Sequence, residues 1–116
     1  MKQADCPFCK IADRRIETEL LHDDDVCVAF NDLEPQAPTH ILVIPKKHIA
    51  SLDTATGGDK DVIAHLLLTA AEIARKRGFA ENGYRIVVNC NADGGQTVFH
   101  LHVHMLAGRR MVFPPG

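Results

Sequence analysis

Several features are missing from this chain of 116 residues. It has no excess of charge of one sign: thirteen Lys and Arg stand against fifteen Asp and Glu, a formal net charge of −2. Proteins that coat nucleic acid neutralise phosphates with a basic surplus, so that class is excluded. Apolar stretches such as Val26 to Phe30 and Ile41 to Ile44 are far too short to span a bilayer. Neither an apolar leader nor a lipidation motif shows at the ends, and the expectation is a cytoplasmic protein with no membrane partner. There the four cysteines stay reduced, which disfavours a disulfide framework and leaves metal binding, catalysis or core filling. Repeats, low-complexity tracts and linkers rich in Pro, Gly or Ser are absent too. With 46% apolar and 24% charged residues, residues 1–116 read as one globular domain.

Against this plain background the seven histidines and four cysteines stand out. The segments around them read as alternating strands and helices. Residues 7–14 form a short helix with Pro7 in its first turn, where the missing N–H costs nothing. Residues 19–22 and 26–30 are strands joined by the solvated turn Asp23-Asp24-Asp25, with Val26, Val28 and Phe30 on one face and Cys27 and Ala29 on the other. Residues 31–39 hold Asn31, Asp32, Pro35 and Pro38 and make a loop; residues 40–44 are a third strand, stopped by Pro45.

The strongest helical pattern spans residues 60–77, where Ile63, Leu66, Leu67, Ala70 and Ala74 recur at helical spacing. Acidic residues open it, Arg75, Lys76 and Arg77 close it, and Gly78 follows. Residues 84–90 and 97–106 are two further strands around the tight loop 91–96. The expected class is α+β: a five-stranded antiparallel sheet with one long and one short helix.

The segment 98–106 alternates strictly. In an extended chain His100, His102 and His104 then line one face at steps of about 7 Å, while Phe99, Leu101, Val103 and Met105 line the other and pack under the helix. Each imidazole needs a polar partner, so three on one face point to use rather than to core structure. Zinc ligation and nucleophilic catalysis by a neutral imidazole both suit such a row. Just upstream, the Gly-rich loop Asn91 to Thr97 offers backbone N–H groups for an anion nest, with the Gln96 amide and Thr97 hydroxyl as extra donors. Phosphate beside a histidine nucleophile is the arrangement of a phosphoryl or nucleotidyl transfer.

His100-Leu101-His102-Val103-His104-Met105-Leu106 resembles the signature of the histidine triad (HIT) family. Phe30 to Leu33, Pro35 to Ile49, Asp93 to Thr97 and the closing Pro114-Pro115-Gly116 are similar to that family as well, so the resemblance covers nearly the whole chain. It is nearest to the Hint branch of purine nucleoside phosphoramidate hydrolases. The resemblance implies a homodimer with one continuous sheet, and cleavage of a P–N or P–O bond that releases AMP or GMP. It implies His102 as the nucleophile, with His104, His40 and Thr97 assisting. Asn89, Gly95, Gln96, Thr97 and His104 would bind the phosphate, Asp32 the ribose, and Phe30 and Leu33 the base. Read without the family, Asp32 and Asn89 serve equally as turn anchors and His40 as an ordinary strand residue.

Two departures bear on specificity: Thr97 stands where many relatives carry serine, and Phe113 where they often carry tryptophan. Related readings are a dinucleoside polyphosphate hydrolase and a nucleotide-binding adaptor whose catalysis is incidental.

Cys6-Pro7-Phe8-Cys9 has the spacing of a zinc knuckle. Continuing through His22 and Cys27 imitates a zinc finger, but Cys27 sits among alternating apolar residues and no basic reading helix follows. The resemblance implies a different set, the structural zinc site of bacterial HIT proteins, formed here by Cys6, Cys9, His48 and His100. Cys27 and Cys90 are expected in the core, and His22 and His65 in surface or structural roles.

Overall fold

The computed structural model describes residues 5–116. Residues 1–4, part of the segment in which no apolar leader is read, lie outside the described residues. The elements are α1 (Pro7–Ala12), β1 (His22–Asp23), β2 (Cys27–Asn31), β3 (Thr39–Pro45), a short 3₁₀ turn (Gly57–Asp59), α2 (Lys60–Arg77), β4 (Tyr84–Val87) and β5 (Val103–Ala107). They form the expected α+β architecture. All strand pairs are antiparallel, in the order β1-β2-β3-β5-β4.

The sheet is buried on both faces at its centre, and the two helices divide those faces. Cys27 and Ala29 of β2, Ile41 and Val43 of β3, and Val103 and Met105 of β5 pack against Leu66, Ala70, Ile73 and Ala74 of α2. On the opposite face Val28, Phe30, Leu42 and Ile44 meet Ala12, Phe8 and Ile11 of α1. Each fully buried Leu or Ile contributes about 1.5–3 kcal/mol. The period-2 alternation read from β2 is therefore real, but both of its faces are covered. Leu67, expected on the buried face of α2, is exposed: the packing stripe runs through residues 66, 70, 73 and 74, and residue 67 falls beside it.

The ends of α2 are set by local chemistry. Thr56 and Asp59 form a reciprocal capping box before its first turn. At its end Gly78 takes φ of 85° while its N–H donates to the carbonyls of Ala74 and Arg75, a left-handed stop that glycine adopts without strain. α1 ends at Ala12, two residues before the expected boundary, because Arg14 turns to a φ of 60°. At the start of α1, Cys6 Sγ accepts the N–H of Cys9 at 3.4 Å.

The largest differences from the sequence reading lie around the histidine row. β4 stops at Val87, and β5 begins only at Val103, so His100 and His102 precede the ladder. The Gln96 side chain explains the early stretch. It donates to the carbonyls of Ala50 and Val98 and accepts the N–H of Asn91, tying residues 91–98 to the segment after β3. Leu101 N–H donates to Ile49 O at 2.6 Å. The alternation survives in this extended stretch, with Leu101 in the core and His100 and His102 turned away from it. Phe99 does not pack under the helix: it is 51% exposed. Cys27 lies in the core as expected, whereas Cys90, past the end of β4, is half-buried and outside both core clusters.

Candidate active site

A cleft of about 1100 Å³ opens on the α1 side of the sheet. His102 and His104 line it together with Phe30, Asp32, Leu33, His40, Gly95 and Thr97, so most of the sequence-derived site residues meet there. Asn89 does not line it. Gln96 lies beneath the loop, and its amide donors are spent on Ala50 and Val98 rather than left for an anion. The backbone N–H groups of Gly95 and Gln96 likewise donate to Ala92 and Asn91, so the expected nest is not made by these two. The loop needs glycine for a different reason. A Cβ on Gly94 would meet Cys90 O at 2.5 Å, and Gly95 holds φ at 80°.

The sequence reading missed part of the cleft wall. Phe8, the third residue of the C-x-x-C segment, stands edge-on to His102 at 5.1 Å between ring centres and to Phe30 at 5.7 Å. Pro7, Ile11 and residues 16–19 continue this wall. Phe8 reads as a spacer between two cysteines, and its packing on a residue far along the chain leaves no local signal.

Two of the three imidazoles of the cleft, His40 and His104, are ordered by a directional chain of hydrogen bonds. Gln36 N–H donates to His40 Nδ1 at 3.0 Å, so the His40 proton sits on Nε2. That nitrogen lies 2.9 Å from His104 Nδ1, with Asp32 Oδ2 at 3.4 Å alongside. His40 donates, His104 Nδ1 accepts, and the His104 proton is left on Nε2. Among the described residues, His104 Nε2 is buried without a hydrogen-bond partner. Burial holds His40 below its ordinary pKa, and burial together with the charges of His102 and His40 pushes His104 down to about 4. Both rings are therefore neutral near pH 7, as this tautomer chain requires.

His102 is set from the other side. Its Nδ1–H donates to the backbone carbonyl of His100 at 2.7 Å, which leaves the ring's lone pair on Nε2. The His102 and His104 ring centres are 4.8 Å apart. A lone pair thus stands beside an unpaired N–H in one cleft, a geometry that suits attack on a phosphorus whose oxygen or leaving group takes that N–H. Asp32 Oδ1 accepts the N–H of Glu34 at 2.9 Å, which makes Asp32 a turn anchor as well as a wall of the cleft. Leu33 is 97% exposed at its mouth.

Behind the cleft, four donors converge. Cys6 and Cys9 of the α1 end, His48 after β3 and His100 before β5 form one group able to hold a metal ion. His48 Nδ1 is 3.2 Å from Cys9 Sγ and 3.2 Å from His100 Nδ1, and the two sulfurs are 3.4 and 3.5 Å from His100 Nδ1. His100 Nε2 donates to Pro45 O at 2.8 Å, which turns the Nδ1 lone pair toward the thiols and braces the ring as an outer-shell partner does in metal sites. Burial lowers the His48 pKa and keeps that ring neutral too. His22 and Cys27 group with Asp24 instead, not with Cys9, so the zinc-finger spacing corresponds to no common site.

Comparison with known proteins identifies the family to which the chain belongs. The family model of the HIT domain matches residues 13–111. An uncharacterized HIT-like protein of Synechococcus elongatus is 51% identical over 112 residues, 97% of each chain. A HIT family hydrolase from Legionella pneumophila superposes with a TM-score of 0.94 at 46% identity, covering 97% of this chain and all 100% of its own. A histidine triad protein from Clostridium difficile does so with a TM-score of 0.94 at 46% identity over 97% of both chains. This chain belongs to the HIT family and has its α+β fold.

Proposed function

We propose that this protein hydrolyses purine nucleoside 5′-phosphoramidates or related nucleoside monophosphate esters through a covalent nucleotidyl intermediate on His102. The observation that carries this reading is the pairing of a free His102 Nε2 lone pair with the buried, unpartnered N–H of His104. In the first step His102 Nε2 attacks the α-phosphorus and the P–N or P–O bond to the leaving group breaks. The bonding pair departs with the leaving atom, which takes a proton from solvent. His104 Nε2–H bonds a phosphate oxygen whose negative charge grows as the bond breaks. In the second step water attacks the same phosphorus and gives up a proton to solvent, the P–Nε2 bond breaks with its electron pair returning to His102, and the nucleoside monophosphate leaves. Gln36 and His40 act behind His104, fixing which of its nitrogens carries the proton.

Binding follows from the cleft walls. The Thr97 hydroxyl and the Gly95 backbone border the phosphate position, Asp32 Oδ2 suits the ribose diol, and Phe30, Leu33 and Phe8 form the apolar surroundings of the base. The Cys6, Cys9, His48 and His100 set suits zinc. With Zn–N of about 2.05 Å and Zn–S of about 2.3 Å, a tetrahedral ion needs donors roughly 3.3–3.7 Å apart, close to the 3.2–3.5 Å separations present. Bound there, zinc would supply rigidity rather than catalysis. The four residues fix α1, hence Phe8, and fix the His100 carbonyl that orients His102.

This reading includes a single cytoplasmic domain over residues 1–116 and a homodimer. β4 is an edge strand of the sheet, and a second copy pairing along it gives each chain a continued sheet. The test is turnover of an adenosine and a guanosine phosphoramidate and of a dinucleoside polyphosphate by the purified protein and by His102→Asn. Release of nucleoside monophosphate from a phosphoramidate by the wild type alone supports the reading. Saturable nucleotide binding with no turnover of any of the three replaces it with a binding adaptor. Faster turnover of the dinucleoside polyphosphate reassigns the substrate.

A further inference from the structure

The turn Asp23-Asp24-Asp25 reads as a solvated acidic loop, and His22 and His65 as unremarkable surface residues. The structure brings them together. Asp24 Oδ1 accepts the N–H groups of Val26 and Cys27 at 2.8 and 2.9 Å, which fixes the plane of the carboxylate. Its other oxygen, Oδ2, lies 2.7 Å from His22 Nε2 and 2.7 Å from His65 Nε2. One imidazole comes from β1 and the other from α2, 41 residues from Asp24 in sequence. Cys27 Sγ, 3.8 Å from the same oxygen, closes the core side.

We propose that His22, Asp24 and His65 form a surface site for a divalent transition-metal ion, separate from the cysteine-containing cluster. The donor set is two imidazoles that each reach the same carboxylate oxygen at 2.7 Å, which suits zinc, nickel, cobalt or copper rather than calcium or magnesium. In the metal-free form both Nε2–H groups donate to the one oxygen. Moving each ring proton to Nδ1 turns two lone pairs into the same space, where a cation takes the place of the two hydrogens. A metal at about 2.0–2.1 Å from each donor requires the 2.7 Å separations to open by roughly half an ångström. The three side chains are 21%, 30% and 39% exposed, so solvent can deliver an ion and the rings have room for this shift. No step of the proposed hydrolysis uses these residues, and they lie outside the residues lining the cleft.

Cobalt(II) and nickel(II) separate the two clusters. We expect two equivalents of Co²⁺ per chain by titration calorimetry on the metal-stripped, reduced protein. Only one of them gives the intense thiolate-to-cobalt absorption of a cysteine site. His22→Gln and His65→Gln should each lose the equivalent without that absorption and keep the other. Glutamine retains an N–H for Asp24, so the fold is preserved, and melting in chelator should change little. Ni²⁺ should raise the melting temperature of the wild type, and do so less in either variant. The inference is overturned if the wild type binds no equivalent beyond the cysteine site, or if that equivalent persists in the double variant. Failure of the cysteine site shows separately, as absence of the thiolate absorption with the His22-dependent equivalent retained.

Discussion

His100 and His104 are four residues apart in one motif, yet they work in opposite ways. Around His100 both ring nitrogens are engaged. Its Nε2 is spent on Pro45 O, and its Nδ1 faces two thiols and a second imidazole at 3.2–3.5 Å. The arrangement is closed and asks only for an ion at its centre. Around His104 the hydrogen bonds run one way, from Gln36 through His40, and end on a nitrogen with no protein partner. That arrangement is open and asks for a ligand atom. His102 stands between them, held by the His100 carbonyl on one side and facing the cleft on the other. A fold can thus brace a reactive group by placing a rigid, satisfied cluster two residues before it, while leaving one donor unsatisfied at the point of chemistry.

This contrast can be broken one side at a time. Removing the nucleophile has the largest effect: His102→Ala or His102→Asn should lower kcat for an adenosine phosphoramidate by about 10³-fold or more, with the circular dichroism spectrum unchanged. Next comes the open side. His104→Ala removes the unpaired donor and should cost about 10²-fold in kcat/KM, since one donor aimed at developing charge is worth that much. On the closed side, Cys6→Ser or His48→Ala should lose one zinc by elemental analysis and lower Tm by roughly 10 °C. Cys27→Ser should keep that zinc.

A smaller effect is a dependence on pH. The pKa of His104 is about 4 in the folded chain against an ordinary value of 6.5, so between those values the unfolded chain binds more protons. Stability from this group is full above pH 6.5 and is lost as pH falls toward 4, at no more than about 1.4 kcal/mol per pH unit. Urea midpoints measured across that window should fall with acid in the wild type and more shallowly in His104→Gln.

Much of this contrast was legible in the sequence, and the unreadable parts share a cause. The helix over residues 60–77 was plain because its period, end charges and Gly78 all agree. The three-histidine face was plain because alternation persists in any extended chain, laddered or not. The start of β5 was not, because Gln96 draws the preceding residues onto Ala50 and Val98, contacts that no local pattern announces. Phe8 as a wall of the cleft and Asp24 between His22 and His65 were hidden in the same way. Each depends on packing between distant segments, while the sequence around it reads as spacer or turn. Asn89 and Gln96 show the reverse: polar residues beside a functional motif that do not line its cleft.

The central claim is that His102 Nε2 carries the nucleotide during turnover. Rapid mixing of enzyme with an adenosine phosphoramidate, an alkaline quench to preserve the acid-labile P–N bond and peptide mass spectrometry tests it directly. The account predicts a nucleotidyl adduct on the peptide containing His102 that forms and decays at rates consistent with kcat and is absent in His102→Asn. Full turnover by His102→Asn, or a kinetically competent adduct on any other residue, would contradict it.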